Sequence, residues 1–398
     1  MRIMNGIRLK WRSLFNGCSR NGFVFGFYFL LLSFDFVAIT SGVSVGRLAA
    51  FATIALCLFE APRWRLRLDG IGALVSAFSF ICICSLFSIP DGFNEYNAYF
   101  TVFLNILIVV IACAVTFTTY DVLLWKRCLI FAAILLGVLA IVSPGQVGSE
   151  WVSGRVVPNV MGSQQDPNEF CGYYLLPVAT MTYFGIQRRN PAYIALLVFF
   201  FYTVLMTGSR GGLMAVGVAF AVALVAAVRN DKHKIPICLA AIFILLMLAL
   251  NFESILRLFP DAISSRFLSG GASTGTAESR MAIWRQLISA FFDSNVLQQL
   301  FGHGFGTTTL ANSAHLVAHN VYIELLYDVG ILGLISFFGM LIAACLCAAH
   351  RRDYVVLAAI LGEAVLIVSL SSFWSKTLWG LLMLAYVAIE DCGIDYEH

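Results

Sequence analysis

Charged residues are scarce in this sequence, and that scarcity excludes several kinds of protein. Only 12% of the 398 residues carry a charge, whereas about one quarter do so in soluble domains. The formal net charge is +3, and the chain has no long basic cluster with interleaved aromatic residues. An ordinary soluble domain is therefore excluded, and no nucleic acid is expected as a partner.

The sequence also lacks the features that a metalloprotein or a disulfide-rich protein would need. Most of the eleven cysteines lie within apolar runs, and no polar loop contains a pair of them. The chain has no Asp-x-Asp motif and no cluster of carboxylates. We therefore expect no disulfide framework, no metal site and no other cofactor.

Apolar residues make up 60% of the chain, and they occur in long runs separated by short polar breaks. Several runs are close to the roughly 20 residues that span a bilayer. The pattern predicts an all-α polytopic membrane protein with about 12 transmembrane helices. The predicted spans are 23–40, 43–60, 71–89, 99–119, 128–143, 169–186, 192–207, 213–228, 235–250, 320–347, 354–373 and 378–390.

The distribution of basic residues supports this number of spans. If the basic N-terminal tail is cytoplasmic, the loops on its side of the membrane contain 17 of the 25 Lys and Arg residues. Loops 144–168 and 251–319 then lie outside the cytoplasm. The chain divides into spans 1–9 (residues 1–250), a large extracytoplasmic loop (251–319) and spans 10–12 (320–398). The eight basic residues on the outer side are Arg47, Arg155, Arg210, Arg257, Arg266, Arg280, Arg285 and Lys376.

An amphipathic helix is predicted within the large outer loop. In residues 281–301, apolar side chains recur with the spacing of one helical face, at Trp284, Leu287, Ile288, Phe291 and Phe292. Such a helix could lie on the outer leaflet or simply cover the bundle of spans, and the pattern suits both arrangements equally.

Each outer arginine breaks the positive-inside pattern and therefore needs a reason. Arg210 lies in the sequence TGSRGG (207–212), at an outer turn between two spans. There, open glycine N–H groups and a guanidinium group together would suit a phosphate. An interfacial arginine that reaches toward lipid headgroups explains the position equally well.

Arg280 is expected at the start of the amphipathic helix, and Arg155 lies in the shorter outer loop. A cation at a helix N-terminus is unfavourable unless an anion shares the site, so Arg280 fits an anion-binding pocket better than a solvated loop. Arg155 is a third candidate for that pocket. Asp166 and Glu169 fit the N-cap and N3 positions of span 6, which favours a structural role for both.

Three of the six histidines lie between residues 301 and 319, where a glycine-rich loop leads into span 10. His315 and His319 are four residues apart and could hold a metal on one helical face, but no carboxylate lies between them. His319 precedes the polar residues Asn320 and Tyr322 at the mouth of the span. This position favours His319 as a general base, with Asn320 and Tyr322 as substrate-binding residues. The alternative is a capping or interfacial histidine.

Four segments resemble the sequence blocks of the O-antigen polymerase and O-antigen ligase superfamily: TGSRGGL (207–213), ESRMAIW (278–284), FGHGFGTT (301–308) and HNVYIELLYDVGILGL (319–334). The resemblance implies a GT-C-like glycosyltransferase of the bacterial inner membrane, with its active site on the extracytoplasmic face. The donor would be an undecaprenyl-diphosphate-linked glycan in the lipid phase, and a chain-length regulator is a candidate partner. The essential arginines of the superfamily correspond to Arg210 and Arg280, and its catalytic histidine corresponds to His319.

The resemblance leaves the acceptor open. A polymerase for O-antigen, capsule or exopolysaccharide adds glycan to a lipid-linked repeat unit, whereas a ligase transfers it to lipid A-core or to a protein. We expect an inverting, metal-independent polymerase in which arginines neutralise the diphosphate. The alternatives are a ligase and a polysaccharide or lipid transporter. The transporter is disfavoured because polar residues concentrate in the outer loops rather than within spans.

Overall fold

A computed structural model of the chain describes residues 17–40, 42–58, 70–90, 96–146, 155–229, 231–268, 274–371 and 373–390. These residues are mostly helical, with a few short strands. The helices are α1 (Arg20–Leu32), α2 (Val45–Leu58), α3 (Gly70–Leu86), α4 (Tyr96–Ala114), α5 (Thr119–Val142), α6 (Pro167–Gly172), α7 (Leu175–Arg188), α8 (Pro191–Met206), α9 (Arg210–Arg229), α10 (Lys234–Leu250), α11 (Phe252–Leu256), α12 (Asp261–Leu268), α13 (Thr274–Phe292), α14 (Val296–Phe301), α15 (Val321–Asp328), α16 (Gly330–His350), α17 (Tyr354–Leu366) and α18 (Lys376–Tyr386). The strands are β1 (Ala38–Thr40), β2 (Val43–Ser44), β3 (Thr116–Thr118), β4 (Pro144–Gln146), β5 (Val156–Val160), β6 (Ser163–Gln164) and β7 (Ala388–Glu390).

Helices occur in all of the stretches predicted as spans. Among the described residues, α5, α9 and α16 are long and apolar enough to cross a membrane. Several other apolar helices are shorter, so the number of crossings stays a prediction. Two predicted spans are divided: span 6 into α6 and α7, and span 10 into α15 and α16.

The break between α15 and α16 results from a close approach of two backbone segments. Gly330 has a φ of 73°, and a Cβ atom there would collide with the backbone of Leu300 in α14 and of Gly302 in the loop that follows α14. In that loop, the N–H groups of His303 and Gly304 donate to the carbonyls of Tyr327 and Asp328, over 3.1 and 2.8 Å. The glycine-rich sequence therefore serves this contact, because only glycine leaves enough room.

Small sheets accompany the helices, so the expected all-α fold holds only as a description of the main architecture. Strands β4, β5 and β6 form an antiparallel sheet in the loop predicted at 144–168. The sequence of β5, VVPNV, is rich in β-branched valine, which favours a strand. This sheet connects Arg155 with the start of α6 and so fixes the distance between them.

Ion pairs connect parts of the chain that the distribution of basic residues assigns to the same side of the membrane. Lys126 pairs with Asp353 over 2.5 Å, and Arg189 pairs with Asp231 over 3.6 Å. Both pairs connect segments predicted to be cytoplasmic. Lys376, which is predicted on the outer side, pairs with Asp35, which lies within the predicted span 23–40 toward its outer end. The contacts agree with the predicted alternation, while the assignment of one end to the outside stays a prediction.

The core positions the turn before α9. Helix α9 packs against α7 and α17 through fully buried small residues, including Ala215, Ala219 and Ala223. Small side chains allow helix axes to approach closely in apolar surroundings. The first turn of α9 therefore lies beside α6 and the end of α17.

Candidate active site

The glycines around Arg210 serve close packing. Gly208 has a φ of 60°, and its N–H donates to a carbonyl of α8. Ser209 caps α9, because its Oγ accepts from the Gly212 N–H over 3.0 Å. Cβ atoms at Gly211 or Gly212 would collide with side chains of neighbouring elements. The expectation of open N–H groups is thus wrong for Gly208 and Gly212, and the exposed Arg210 is left as the phosphate-binding candidate of this turn.

Arg155 is buried against the same turn. Its Nε donates to the Thr207 carbonyl over 2.7 Å, and its Nη2 donates to Asn168 Oδ1 over 3.3 Å. Asn168 Oδ1 also accepts from Ser209 Oγ over 2.6 Å. Burial and the charge of Arg266 lower the pKa of Arg155 to about 10. Arg155 thus connects the strand region, α6 and the turn before α9.

Arg266 is a site residue that the sequence did not single out. It lies in α12, and its Nε donates to the Gly208 carbonyl over 3.2 Å. Burial lowers the pKa of Arg266, and the charge of Arg210 lowers it further. In the sequence, Arg266 was one of eight outer basic residues and belonged to no motif. Arg257, in contrast, is exposed and pairs with Glu253 over 2.5 Å.

Arg280 lies in the second turn of α13, which begins at Thr274. The predicted position at a helix N-terminus is therefore wrong, and the helix dipole does not explain this arginine. Its pKa is lowered by burial and then by the charge of Arg210, with Asp166 acting in the opposite direction and Arg266 adding to the decrease. Arg280 and the turn before α9 therefore share one electrostatic environment.

Helix α13 also holds the loop before His319. Trp284 Nε1 donates to the Ala318 carbonyl over 2.7 Å. Ile283, Leu287 and Phe291 are buried, and they pack with Ala318 and with Tyr327 of α15. Ile288 and Phe292 remain exposed, and the predicted segment 281–301 is divided between α13 and α14. The helix therefore covers α15 and leaves part of its predicted apolar face exposed.

His319 adopts a backbone conformation that is rare for a non-glycine residue. Its φ is 51°, and its N–H donates to Ser371 Oγ over 2.6 Å. Such conformations persist where the surrounding structure enforces them, often at functional sites. Burial lowers the pKa of His319, the charge of Arg280 lowers it further, and Asp166 opposes the shift. The neutral imidazole, which can accept a proton, is thereby favoured.

The metal interpretation of His315 and His319 fails on geometry. Both residues precede α15, and each has a φ of 51°, so they do not share a helical face. His315 Nδ1 lies 3.1 Å from the Thr309 carbonyl. In the part of the chain that the structure describes, no group of three or more His, Cys, Asp or Glu residues is arranged to hold a metal.

Asn320 and Tyr322 make contacts within the protein. Asn320 is the N-cap of α15, where its side chain accepts from the N–H groups of Tyr322 and Ile323. The Tyr322 hydroxyl donates to the Ala364 carbonyl over 2.9 Å. These contacts favour structural roles, and substrate binding by either residue stays a prediction.

Asp166 combines a structural and an electrostatic role. As expected, it is the N-cap of α6, with Oδ1 accepting from the N–H groups of Asn168 and Glu169 over 2.7 and 3.1 Å. Its charge also raises the pKa of Arg155, Arg280 and His319. Sequence reasoning found the cap but missed that this carboxylate faces the candidate site.

Four arginines from separate segments thus form one group, which we call the arginine cluster: Arg155, Arg210, Arg266 and Arg280. Guanidinium groups bind the oxygens of phosphates through paired, charge-assisted hydrogen bonds. His319, a half-buried histidine with a lowered pKa, lies within range of the charge of Arg280. The arrangement can therefore hold a polyanionic group and accept a proton beside it.

The apolar helices and this polar site define an integral membrane protein. Residues 195–338 match the family described as O-antigen ligase. This match supports the resemblance to the O-antigen polymerase and ligase superfamily that the sequence motifs indicated. The matched segment includes Arg210, Arg266, Arg280 and His319, while Arg155 lies before it. No curated protein matches the chain.

Proposed function

We propose that this protein is a polysaccharide polymerase of the bacterial inner membrane, with its active site on the extracytoplasmic face. It transfers glycan from an undecaprenyl-diphosphate-linked donor to a lipid-linked repeat unit, with inversion and without a metal ion. The product is an O-antigen, capsule or exopolysaccharide chain. The observation that carries the proposal is the arginine cluster, with His319 in the same electrostatic environment.

In this mechanism the arginine cluster binds the donor diphosphate. The acceptor hydroxyl attacks the anomeric carbon of the donor sugar while His319 takes the hydroxyl proton. The bond between that carbon and the diphosphate oxygen breaks, and the lipid diphosphate leaves. Guanidinium groups stabilise the charge that develops on the leaving oxygen, which is the role that a divalent cation fills in metal-dependent transferases.

One buried and two half-buried cations are the feature that supports binding of a polyanion. Burial lowers the pKa of Arg155, Arg266 and Arg280, because each loses hydration as a cation. Their mutual repulsion lowers the pKa values further, so a diphosphate that binds there relieves an unfavourable interaction. A lone interfacial arginine would gain much less from the same ligand.

A ligase is the second candidate, because the matching family is described as O-antigen ligase. The donor site and the general base would be the same, and only the acceptor would differ. A polymerase uses a second lipid-linked repeat unit, whereas a ligase uses lipid A-core or a protein.

The experiment is a transfer assay on the purified full chain, with lipid-linked repeat units from the source cells as donor. We expect longer lipid-linked glycans from these units alone, and the same yield in the presence of EDTA. Product that forms only when lipid A-core or an acceptor protein is added would assign the ligase. Loss of activity with EDTA and recovery with one particular metal would contradict the metal-independent mechanism.

A further inference from the structure

A cavity of about 430 Å³ lies at the start of α6, where Asp166 and Glu169 line it. This volume falls in the range of roughly 300–1,000 Å³ that small-molecule sites occupy. Asp166 lines the cavity, and its Oδ1 accepts from the N–H of Asn168 over 2.7 Å. The Asn168 side chain in turn accepts from Arg155 of the arginine cluster over 3.3 Å. The cavity therefore lies close to the arginine cluster, and the charge of Asp166 also acts on Arg280 and His319.

The charges that line the cavity are engaged with neighbouring protein groups. Lys376 is buried and pairs with Asp35. Arg47 donates to the Thr101 hydroxyl over 2.8 Å, and Glu169 accepts from Gln165 over 2.8 Å. An ionic ligand gains little from charges that already have partners. A ligand with many neutral hydroxyl groups can exchange hydrogen bonds with the same amides, carboxylates and cations.

Aromatic side chains add apolar surface to this polar wall. Trp374 and Tyr173 line the cavity, and the Trp374 side chain is partly exposed. The exposed amide of Gln164 completes the same wall. Aromatic faces together with hydrogen-bonding groups suit a ring that is polar at its edge and apolar on its face. A sugar ring has this character, and a lipid tail or a phosphate does not.

We propose that this cavity is a saccharide site and that it binds the acceptor glycan. The assignment rests on the proposed function, in which the arginine cluster is occupied by the donor diphosphate. An acceptor that must present its hydroxyl to His319 then needs a separate, less cationic place to bind. The cavity supplies it, because Asp166 borders both compartments.

The first experiment measures saccharide binding without catalysis. The probe is the free repeat-unit oligosaccharide, released by mild acid from the lipid-linked glycan of the source cells and titrated calorimetrically against the purified full chain. Gln164→Ala should weaken binding roughly threefold to tenfold, the value of one or two net hydrogen bonds. Trp374→Ala should weaken it at least as much, whereas Trp374→Phe should retain most of the affinity. The matched control is Gln298→Ala, which lies outside the cavity lining and should bind normally.

The Gln164 substitution should not disturb the fold, and the melting temperature checks this. Gln164 belongs to β6, and its pairing with β5 uses only backbone groups, so Gln164→Ala should keep the wild-type melting temperature. The titration is repeated in Arg210→Ala, where the donor site is impaired but the cavity is unchanged. Saccharide binding should persist there. Binding in this variant together with an absence of glycosyl transfer in wild-type protein would uphold the cavity and reject the proposed function.

The second experiment separates acceptor from donor. In the transfer assay, Gln164→Ala should raise the KM for the acceptor and leave the KM for the donor unchanged. An increase confined to the donor KM would overturn the acceptor assignment. No saccharide binding to folded wild-type protein at millimolar concentration, or equal binding by the Gln164, Trp374 and Gln298 variants, would overturn the site itself.

Discussion

At the scale of single residues, His319 is held by its surroundings rather than by a helix. The bond from its N–H to Ser371 and its φ of 51° keep the residue in a conformation that a free chain would rarely adopt. Burial and the neighbouring Arg280 lower the pKa of its imidazole. A residue that only capped α15 would not need these features, since Asn320 already supplies the cap.

The first prediction concerns His319 as a general base. His319→Ala should lose roughly 10²–10⁴-fold in turnover, the usual contribution of a positioned base, while donor binding to the arginine cluster remains. Turnover, donor affinity and melting temperature are measured together. A well-folded His319→Gln enzyme with nearly full activity would show that a hydrogen bond suffices and that no base is required.

The second prediction concerns pH. A rate that needs neutral imidazole falls as pH drops through the pKa of His319, and because that pKa is lowered, the fall should lie below the ordinary value of about 6.5. The Asp166 charge raises the pKa, so Asp166→Asn should move the fall to still lower pH. Asparagine is also a good N-cap, so the melting temperature should change little. An unchanged profile, or one moved upward, would argue against titration of His319.

The third prediction tests how Arg210 binds the diphosphate. Arg210→Lys should reduce transfer almost as much as Arg210→Ala, because lysine keeps the charge but loses the planar pair of donors. Steady-state rates at saturating donor, together with donor affinity, give the comparison. Recovery of most activity by lysine would mean that charge alone is sufficient.

The fourth prediction uses two arginines of the same predicted loop. Arg266→Gln should weaken donor binding roughly 10- to 100-fold, since charge-assisted hydrogen bonds contribute about 1.5–3 kcal/mol. Arg257→Gln should leave donor binding unchanged, because Arg257 is exposed and pairs with Glu253. Equal effects in both variants would indicate general attraction by the positive charge of the surface instead of a defined cluster.

At the scale of elements, α13 joins the two chemical parts of the site. It carries Arg280, and through Trp284 it holds the carbonyl of Ala318, directly before His319. Its buried residues Ile283 and Leu287 fix it on α15. The amphipathic stripe therefore positions His319, the proposed general base, relative to Arg280, which is distant in sequence.

The fifth prediction follows from this contact. Trp284→Phe keeps the apolar surface but removes the bond to Ala318, which should cost about 1 kcal/mol of stability. We also expect kcat to fall roughly tenfold or more, because small displacements of reacting groups strongly lower the rate of reaction. Arg285→Ala, an exposed change at the next position, is the control. Lower stability with an unchanged kcat would mean that α13 only packs over α15 and does not position His319.

At the scale of the whole molecule, the ends of the helices carry different chemistry. The ion pair of Lys126 with Asp353 connects segments that the charge pattern assigns to the cytoplasm. Arg155, Arg210, Arg280 and Lys376 belong to segments assigned to the outside, and Lys376 pairs with Asp35 of the first predicted span. A lipid-linked donor would thus meet the arginine cluster at the bilayer edge, where its diphosphate already resides.

Much of this could be predicted from the sequence alone. Apolar runs identified the helical stretches, the turn residues 207–212 identified Arg210, and capping chemistry identified Asp166 as the start of α6. These features depend on hydropathy and on hydrogen bonds within a few residues, so a linear pattern contains them. Position in the sequence also singled out Arg280 and His319, and the resemblance to the superfamily pointed to the same two residues.

Tertiary structure decided what the linear pattern could not. Arg266 joins the cluster because α12 reaches back to the Gly208 carbonyl, and α13 begins before Arg280 rather than at it. The break at Gly330 depends on a loop that packs against it from an earlier part of the chain. The cavity bordered by Asp166, Trp374 and Lys376 likewise combines segments from distant parts of the chain. Charge repulsion, steric exclusion and burial act through space, so only the packed chain brings these residues together.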